Sequence, residues 1–185
     1  MTDPAYFERM YAASDDPWHL DDNPYEQRKH ALTVACLPRE RYRRGFEPGC
    51  SIGLLTALLA PRCDELVATD AVAEPLVAAR RRVPDEHVSF AQSALPDWPA
   101  GELDLVVLSE VLYFLSAALR AQVRQHVVES LGPHGHVVLV DWRHRFDEAA
   151  CTGDEAQAEI VEAPAFVRLV THVEHDFRLT VLGRA

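Results

Sequence analysis

From Arg44 onward, short apolar runs alternate with helical stretches, and this alternation most restricts the folds open to the chain. The strand-like runs are Gly45 to Glu47, Glu65 to Thr69, Val88 to Gln92, Leu103 to Ser109 and His136 to Asp141. Helical stretches near Gly53 to Leu59, Glu74 to Arg82 and Ser116 to Leu131 separate them. Repeated β-α alternation predicts a parallel sheet covered by helices on both faces. The end departs from the pattern: Phe166 to Glu174 and Phe177 to Leu182 flank His175-Asp176 as an antiparallel hairpin, after a helix from Asp154 to Glu162. The expected fold is therefore α/β: a Rossmann-like, doubly wound, mostly parallel seven-stranded sheet with an antiparallel edge hairpin.

Residues 1–44 read as an added helical layer. Phe7, Met10 and Tyr11 fall on one face of a short helix. Asn23 offers an N-cap, Pro24 suits the first helical position and Glu26 stands three residues after the cap, so a second helix is expected from Pro24 to about Leu37. At 185 residues the chain is long enough for one well-buried core, and the expectation is a single domain with 1–44 as a helical lid and 45–185 as the α/β core.

Charge narrows the partners. Eighteen Lys+Arg against 29 Asp+Glu leave a net charge of −11, which disfavours nucleic acid and anionic membranes and favours neutral or cationic ligands. Lys29 is the one lysine, so nearly every positive charge is a guanidinium that cannot serve as a general base. Cys36, Cys50, Cys63 and Cys151 are far apart with no CxxC pair, and no secretory leader or apolar run of roughly 20 residues is present, so a cytoplasmic setting is expected.

In sheets of this kind ligands bind outside the carboxyl ends of the strands, so the strand-ending residues carry the information. The first strand runs into Glu47-Pro48-Gly49-Cys50-Ser51-Ile52-Gly53 and opens a helix. Gly49 permits a tight turn and Gly53 close packing of the helix. A dinucleotide fingerprint would need glycine where Ser51 stands, and Glu47 would repel a pyrophosphate while suiting an ammonium group. Asp70 ends the second strand, where a carboxylate can accept both ribose hydroxyls. Acid, glycine turn and second acid in this order suit S-adenosyl-L-methionine, whose amino acid end is zwitterionic and whose sulfonium is cationic.

Methyl transfer from a sulfonium asks mainly that an acceptor be held in line and water excluded, with a base only if the acceptor must lose a proton. Candidates at the same sheet edge are Glu110 and Tyr113 after the fourth strand and Asp141, Arg143 and His144 after the fifth, with Tyr11 and His19 in the N-terminal layer. Each has a plainer reading. Asp70 could cap the next helix, Trp18 could staple the core, Glu110 could bind backbone, and His144 could be a surface residue between Arg143 and Arg145. His134 and His136 lie around a Pro-Gly turn and are not read as metal ligands; Arg80-Arg81-Arg82 suits a solvated helix end. LSEVLY also lacks the NPPY or DPPY arrangement of DNA amino-methyltransferases.

The chain resembles the NodS-type class I S-adenosylmethionine-dependent methyltransferases from about Tyr11 to Trp142. The resemblance is carried by ASDDPWHLDDNPYEQRKHALT at 13–33, FEPGCSIGLLTALLAPRCDELVATD at 46–70, LDLVVLSEVLYFL at 103–115 and LGPHGHVVLVDWRH at 131–144. The PWxLxxxPYE block discriminates best, since the glycine turn is common to class I methyltransferases. The resemblance implies that Glu47, Gly49, Cys50 and Gly53 form the turn under the methionine moiety, that Asp70, with Ala71 beside it, holds the ribose, and that Ser93, Ala94 and Leu95 flank adenine. Ser109, at the end of the fourth strand, joins the cofactor set; Trp18 and Lys29 match positions that close over the cofactor, Lys29 pairing with its carboxylate. Where relatives commonly place an acid to bond the adenine amino group, this chain has Ala94, which leaves that contact to backbone groups or Ser93.

The resemblance implies a methyltransferase acting on an amine or hydroxyl of a small molecule, with sugars and amino-sugars among the acceptors, working as a monomer or homodimer. Two other readings stay open at the level of the sequence. One is a non-catalytic S-adenosylmethionine-binding module; the other is a nicotinamide or nucleotide-sugar enzyme on a related fold.

Overall fold

The N-terminal signals are met by two helices in the computed structural model, which describes residues 4–185. Helix α1 (Pro4–Ala13) buries Tyr11 and half-buries Phe7 and Met10, the face its spacing defined. Helix α2 (Pro24–Ala35) starts as expected, with the Asn23 side chain accepting from the Tyr25 N–H at 3.0 Å. It ends at Ala35, short of Leu37, with Cys36 as its C-cap.

The chain divides into two compact units, the first ending at Ala94 and the second beginning at Leu95. The two N-terminal helices thus belong to the same unit as the first three strands. That unit continues through β1 (Tyr42–Pro48), α3 (Leu54–Leu59), β2 (Cys63–Asp70), α4 (Glu74–Arg82) and β3 (Val88–Gln92). Its strands lie in the order β3-β2-β1, all parallel. Pro48 pairs with Thr69 and Asp70 with Gln92, so the three strands finish nearly flush and present their carboxyl ends along one edge. Tyr42, Phe46, Leu59, Leu66 and Leu76 are fully buried there, each worth about 1.5–3 kcal/mol relative to exposure.

The second unit holds β4 (Leu103–Ser109), α5 (Ala117–Ser130), β5 (Leu131–Trp142), α6 (Gly153–Val161), β6 (Phe166–Val173) and β7 (Phe177–Arg184). Its strands lie in the order β4-β5-β7-β6, with β7 antiparallel to both neighbours. All of β4 before Ser109 is buried, as expected of an almost wholly apolar strand covered on both faces. Ser116 caps α5, and Thr152 and Glu155 form a reciprocal capping box on α6. The strands number seven, mostly parallel, with an antiparallel edge hairpin. No helix among the described residues is long and apolar enough to cross a membrane.

Candidate cofactor turn and acceptor residues

The turn after β1 is built from three residues with positive φ, namely Gly49 (76°), Ser51 (50°) and Gly53 (79°). The Gly49 and Cys50 N–H groups donate to the Thr69 carbonyl at 2.7 and 2.9 Å, tying the turn to β2. A Cβ on Gly53 would stand 3.0 Å from both Cα and Cβ of Ala79, so this glycine lets the turn approach α4. Ser51, in the place that separated this turn from a dinucleotide fingerprint, takes the left-handed conformation without glycine's freedom. Two contacts hold it there. Its N–H donates to Asp70 Oδ2 at 2.9 Å, and its hydroxyl shares a 2.6 Å hydrogen bond with the Tyr11 hydroxyl.

Glu47 is only 3% exposed, and its Oε2 has no hydrogen-bond partner among the described residues. Burial pushes its carboxyl up to about 8; the Thr56 side chain opposes the shift and the Asp70 charge adds to it. A buried carboxyl oxygen without a donor is costly until a ligand brings one, and an ammonium group does so. Asp70, 8% exposed, is also raised by burial, held back by the N–H groups of Val72, Ser51 and Ala71. Its oxygens accept from Val72 N at 3.0 Å and Ser51 N at 2.9 Å. Asp70 therefore binds backbone without capping α4, whose N-cap is Ala73 with no side-chain cap bond, and each of its carboxylate oxygens keeps a second lone pair for a hydroxyl. An orphaned buried acid, an amide-rich turn and a second acid on the adjacent strand together fit the zwitterionic end and ribose of S-adenosylmethionine.

The other N-terminal-unit candidates divide. The Cys50 side chain packs in a cluster with Ala68, Leu76 and Phe90, and burial, with Glu47 and Asp70 nearby, pushes its thiol well above the usual range. Its contribution to the turn is therefore backbone and packing. Ser93 N donates to the Asp70 carbonyl at 2.9 Å and Gln92 Nε2 to the Ala71 carbonyl at 3.1 Å, which places Ala71, Ser93 and Ala94 at the ends of β2 and β3. Trp18 packs edge-on against Tyr11, centroids 5.4 Å apart, and Phe7 lies 6.4 Å from it, a stapling arrangement. Lys29, 3% exposed, pairs with Glu26 at 2.9 Å and lies 5.2 Å over the Tyr25 ring, so its ammonium already meets a carboxylate. His19 is exposed, 3.7 Å from Asp22. Tyr11, whose phenol burial pushes well above its usual range, ties α1 to the turn. Tyr11→Phe should cost about 1 kcal/mol in urea unfolding; an unchanged midpoint would remove the tie.

In the second unit, Ser109 ends β4 and Glu110 follows at φ 57°. Glu110 N donates to the Val140 carbonyl at 2.7 Å, and Glu110 Oε2 accepts from the Tyr113 hydroxyl at 2.6 Å and from Trp142 N at 2.9 Å. Backbone binding is thus part of what Glu110 does, and the same bonds fix its carboxylate and the Tyr113 phenol as one unit. Tyr113, 6% exposed, is walled by Phe114 and Phe146. Asp141 is fully buried and accepts from Gln157 Nε2 at 3.0 Å. Arg143 reaches Asp154 at 3.1 Å and the Glu174 carbonyl at 2.6 Å, a structural clamp. His144 is 43% exposed and 2.8 Å from Asp176, surface placement as its plainer reading had it. Trp142 was missed at the level of sequence, because its backbone N–H is what acts.

A seven-stranded, mostly parallel sheet closed by an antiparallel hairpin, with an acid-glycine turn after β1 and an acid ending β2, is the fold of the class I methyltransferases. The family model for Nodulation protein S (NodS) matches residues 6–174, and the chain belongs to that family. It is 38% identical over 132 residues to Nodulation protein S of Rhizobium tropici, covering 69% of this chain and 55% of that one. The chain thus spans little more than half the length of that relative, and 61% of a Sinorhizobium fredii relative. The crystal structure of N-methyltransferase NodS from Bradyrhizobium japonicum WM9, in complex with S-adenosyl-L-homocysteine, is 28% identical and covers 100% of this chain and 99% of its own, with a TM-score of 0.85. A candidate methyltransferase from Pseudomonas syringae is 40% identical, covers 88% of this chain and 100% of its own, and has a TM-score of 0.76.

Proposed function

We propose that this chain transfers a methyl group from S-adenosylmethionine to the amine of a small molecule, with amino-sugars the first acceptors to test. The observation that carries the reading is the unpartnered Glu47 Oε2, buried at the carboxyl end of β1 beside the glycine turn and close enough for the Asp70 charge to act on it. Amine is preferred to hydroxyl because the Bradyrhizobium relative is an N-methyltransferase.

When bound, S-adenosylmethionine supplies a methyl carbon on a sulfonium, released with the carbon–sulfur electron pair left on sulfur. Glu47 binds the ammonium end, and the N–H groups and left-handed backbone of Gly49 to Gly53 shape the turn beneath it. Asp70 accepts from the ribose hydroxyls, Ser93 and the backbone at Ala94 and Leu95 flank the adenine, and Trp18 and Lys29 stand in the helical lid. Glu110 accepts the proton that the amine must lose. Tyr113 and the Trp142 N–H fix the orientation of its carboxylate through Oε2. The His144 imidazole, exposed at the end of β5, is the second candidate to take that proton. We read 1–185 as one methyltransferase domain, monomeric or homodimeric and cytoplasmic, in keeping with four free thiols.

The test is transfer of labelled methyl to a panel of amines, hydroxylated analogues and amino-sugars. Glu110→Gln keeps an acceptor oxygen for Tyr113 and Trp142 while removing the base, and should lower kcat by about 100-fold with KM for S-adenosylmethionine little changed. Full activity in that variant would remove Glu110 from the chemistry. Cofactor binding with no turnover across the panel would return the chain to a binding module.

A further inference from the structure

The exit of β5 and the tip of the β6–β7 hairpin bring together donors that the methyl-transfer reading leaves largely unused. His144 Nε2 lies 2.8 Å from Asp176 Oδ1, and His175 Nδ1 lies 2.6 Å from the same oxygen. One ligand atom from each residue falls within 4.8 Å of the others, and the two imidazole centroids are 5.0 Å apart. We propose that His144, His175 and Asp176 form a binding site for a divalent transition-metal ion of the zinc, nickel and cobalt type.

The chemistry of the donors sets the class. Two neutral imidazoles and one carboxylate suit borderline ions of this type and not magnesium or calcium, which prefer all-oxygen shells. Three protein ligands with solvent beyond leave an open coordination position. The ligands are also held. Arg143 N donates to the Asp176 carbonyl at 2.8 Å and Arg143 Nη1 to the Glu174 carbonyl at 2.6 Å, so the hairpin tip is fastened to the strand exit that carries His144. Phe177 pairs with Trp142 in the ladder just inside the cluster, and the Trp142 ring lies 5.1 Å from the His144 ring. His144, His175 and Asp176 side chains are 43%, 86% and 38% exposed, which leaves an entry path and room for the donor atoms to open from hydrogen-bonding to ligand separation. Both imidazoles now share one carboxylate oxygen; an ion in their midst replaces those two hydrogen bonds, with the N–H of each neutral imidazole carried on its non-coordinating nitrogen.

The experiment uses the full chain without a polyhistidine tag, titrated with cobalt(II), nickel(II) or zinc(II) by calorimetry and, for cobalt, by visible absorption. One equivalent should bind, with a cobalt spectrum lacking thiolate charge-transfer bands, and His175→Ala and Asp176→Asn should each weaken binding by about 100-fold or more. His175 and Asp176 lie at an exposed turn, so these variants keep the fold, checked by far-UV circular dichroism. His126→Ala serves as a control whose affinity stays at the wild-type value. Equal affinity in wild type and both variants, a thiolate-type cobalt spectrum or no binding at all overturns the site. Each readout is independent of methyl transfer, so it stands or falls apart from the proposed activity.

Discussion

Glu47→Gln should bind S-adenosylhomocysteine about 100-fold more weakly than the wild type at pH 8, while being more stable without ligand. The two effects have one origin. The folded carboxyl titrates near 8, against 4.5 for an ordinary glutamate. Between these values the folded chain holds a proton that the unfolded chain has released, so this group's share of stability falls as pH rises through the window and is fully lost above about 8. A shift of that size corresponds to about 5 kcal/mol at most. Glu47→Gln removes the dependence, so its unfolding midpoint should exceed the wild type's at pH 8 and the gap should close toward pH 5. Asp70, also raised, leaves a residual slope of the same sign in both proteins. Because the charged carboxylate is what an ammonium group attracts, wild-type affinity should rise from pH 6 to pH 8, with about one proton released on binding near pH 7. Calorimetry in buffers of different ionisation enthalpy reads that proton directly. Undiminished affinity in Glu47→Gln would remove the ammonium contact, and a pH-independent gap in stability would mean that Glu47 does not titrate as its burial requires.

Gly53→Ala is expected to damage the fold and the cofactor turn together. A Cβ would meet both Cα and Cβ of Ala79 at 3.0 Å, one of them backbone, on a residue already at φ +79°. Conformational strain and crowding together should cost about 2–4 kcal/mol in urea unfolding, with cofactor affinity falling because the turn cannot keep its approach to α4. A stability loss below about 1 kcal/mol would show that the turn has slack.

What could be read from the residues alone was what local geometry dictates. Glu47, Gly49, Gly53 and Asp70 could be placed because each is fixed by strand end and turn type. The direction of the Cys50 side chain could not, since it is set by packing against Ala68, Leu76 and Phe90 from distant segments. The start of β1 was hidden because Tyr42, fully buried, sits among arginines that break any apolar alternation. β5 begins at Leu131, five residues before the expected His136: Leu131 pairs with Leu103 but His136 with Leu105, and the bulge at Gly132-Pro133-His134-Gly135 between them carries turn residues. The bonds from Glu110 to Trp142 and from His144 to Asp176 join distant segments, so they follow from sheet register and not from spacing.

The sole lysine has a consequence for handling the protein. Lys29 is buried and paired with Glu26, so the chain offers acylating or cross-linking reagents almost no side-chain amine, while its arginines stay inert to them. For a protein proposed to methylate amines, that also means few nucleophiles of its own competing with the acceptor. Surface attachment and labelling are better directed at Cys36, the one of the four thiols that is not buried.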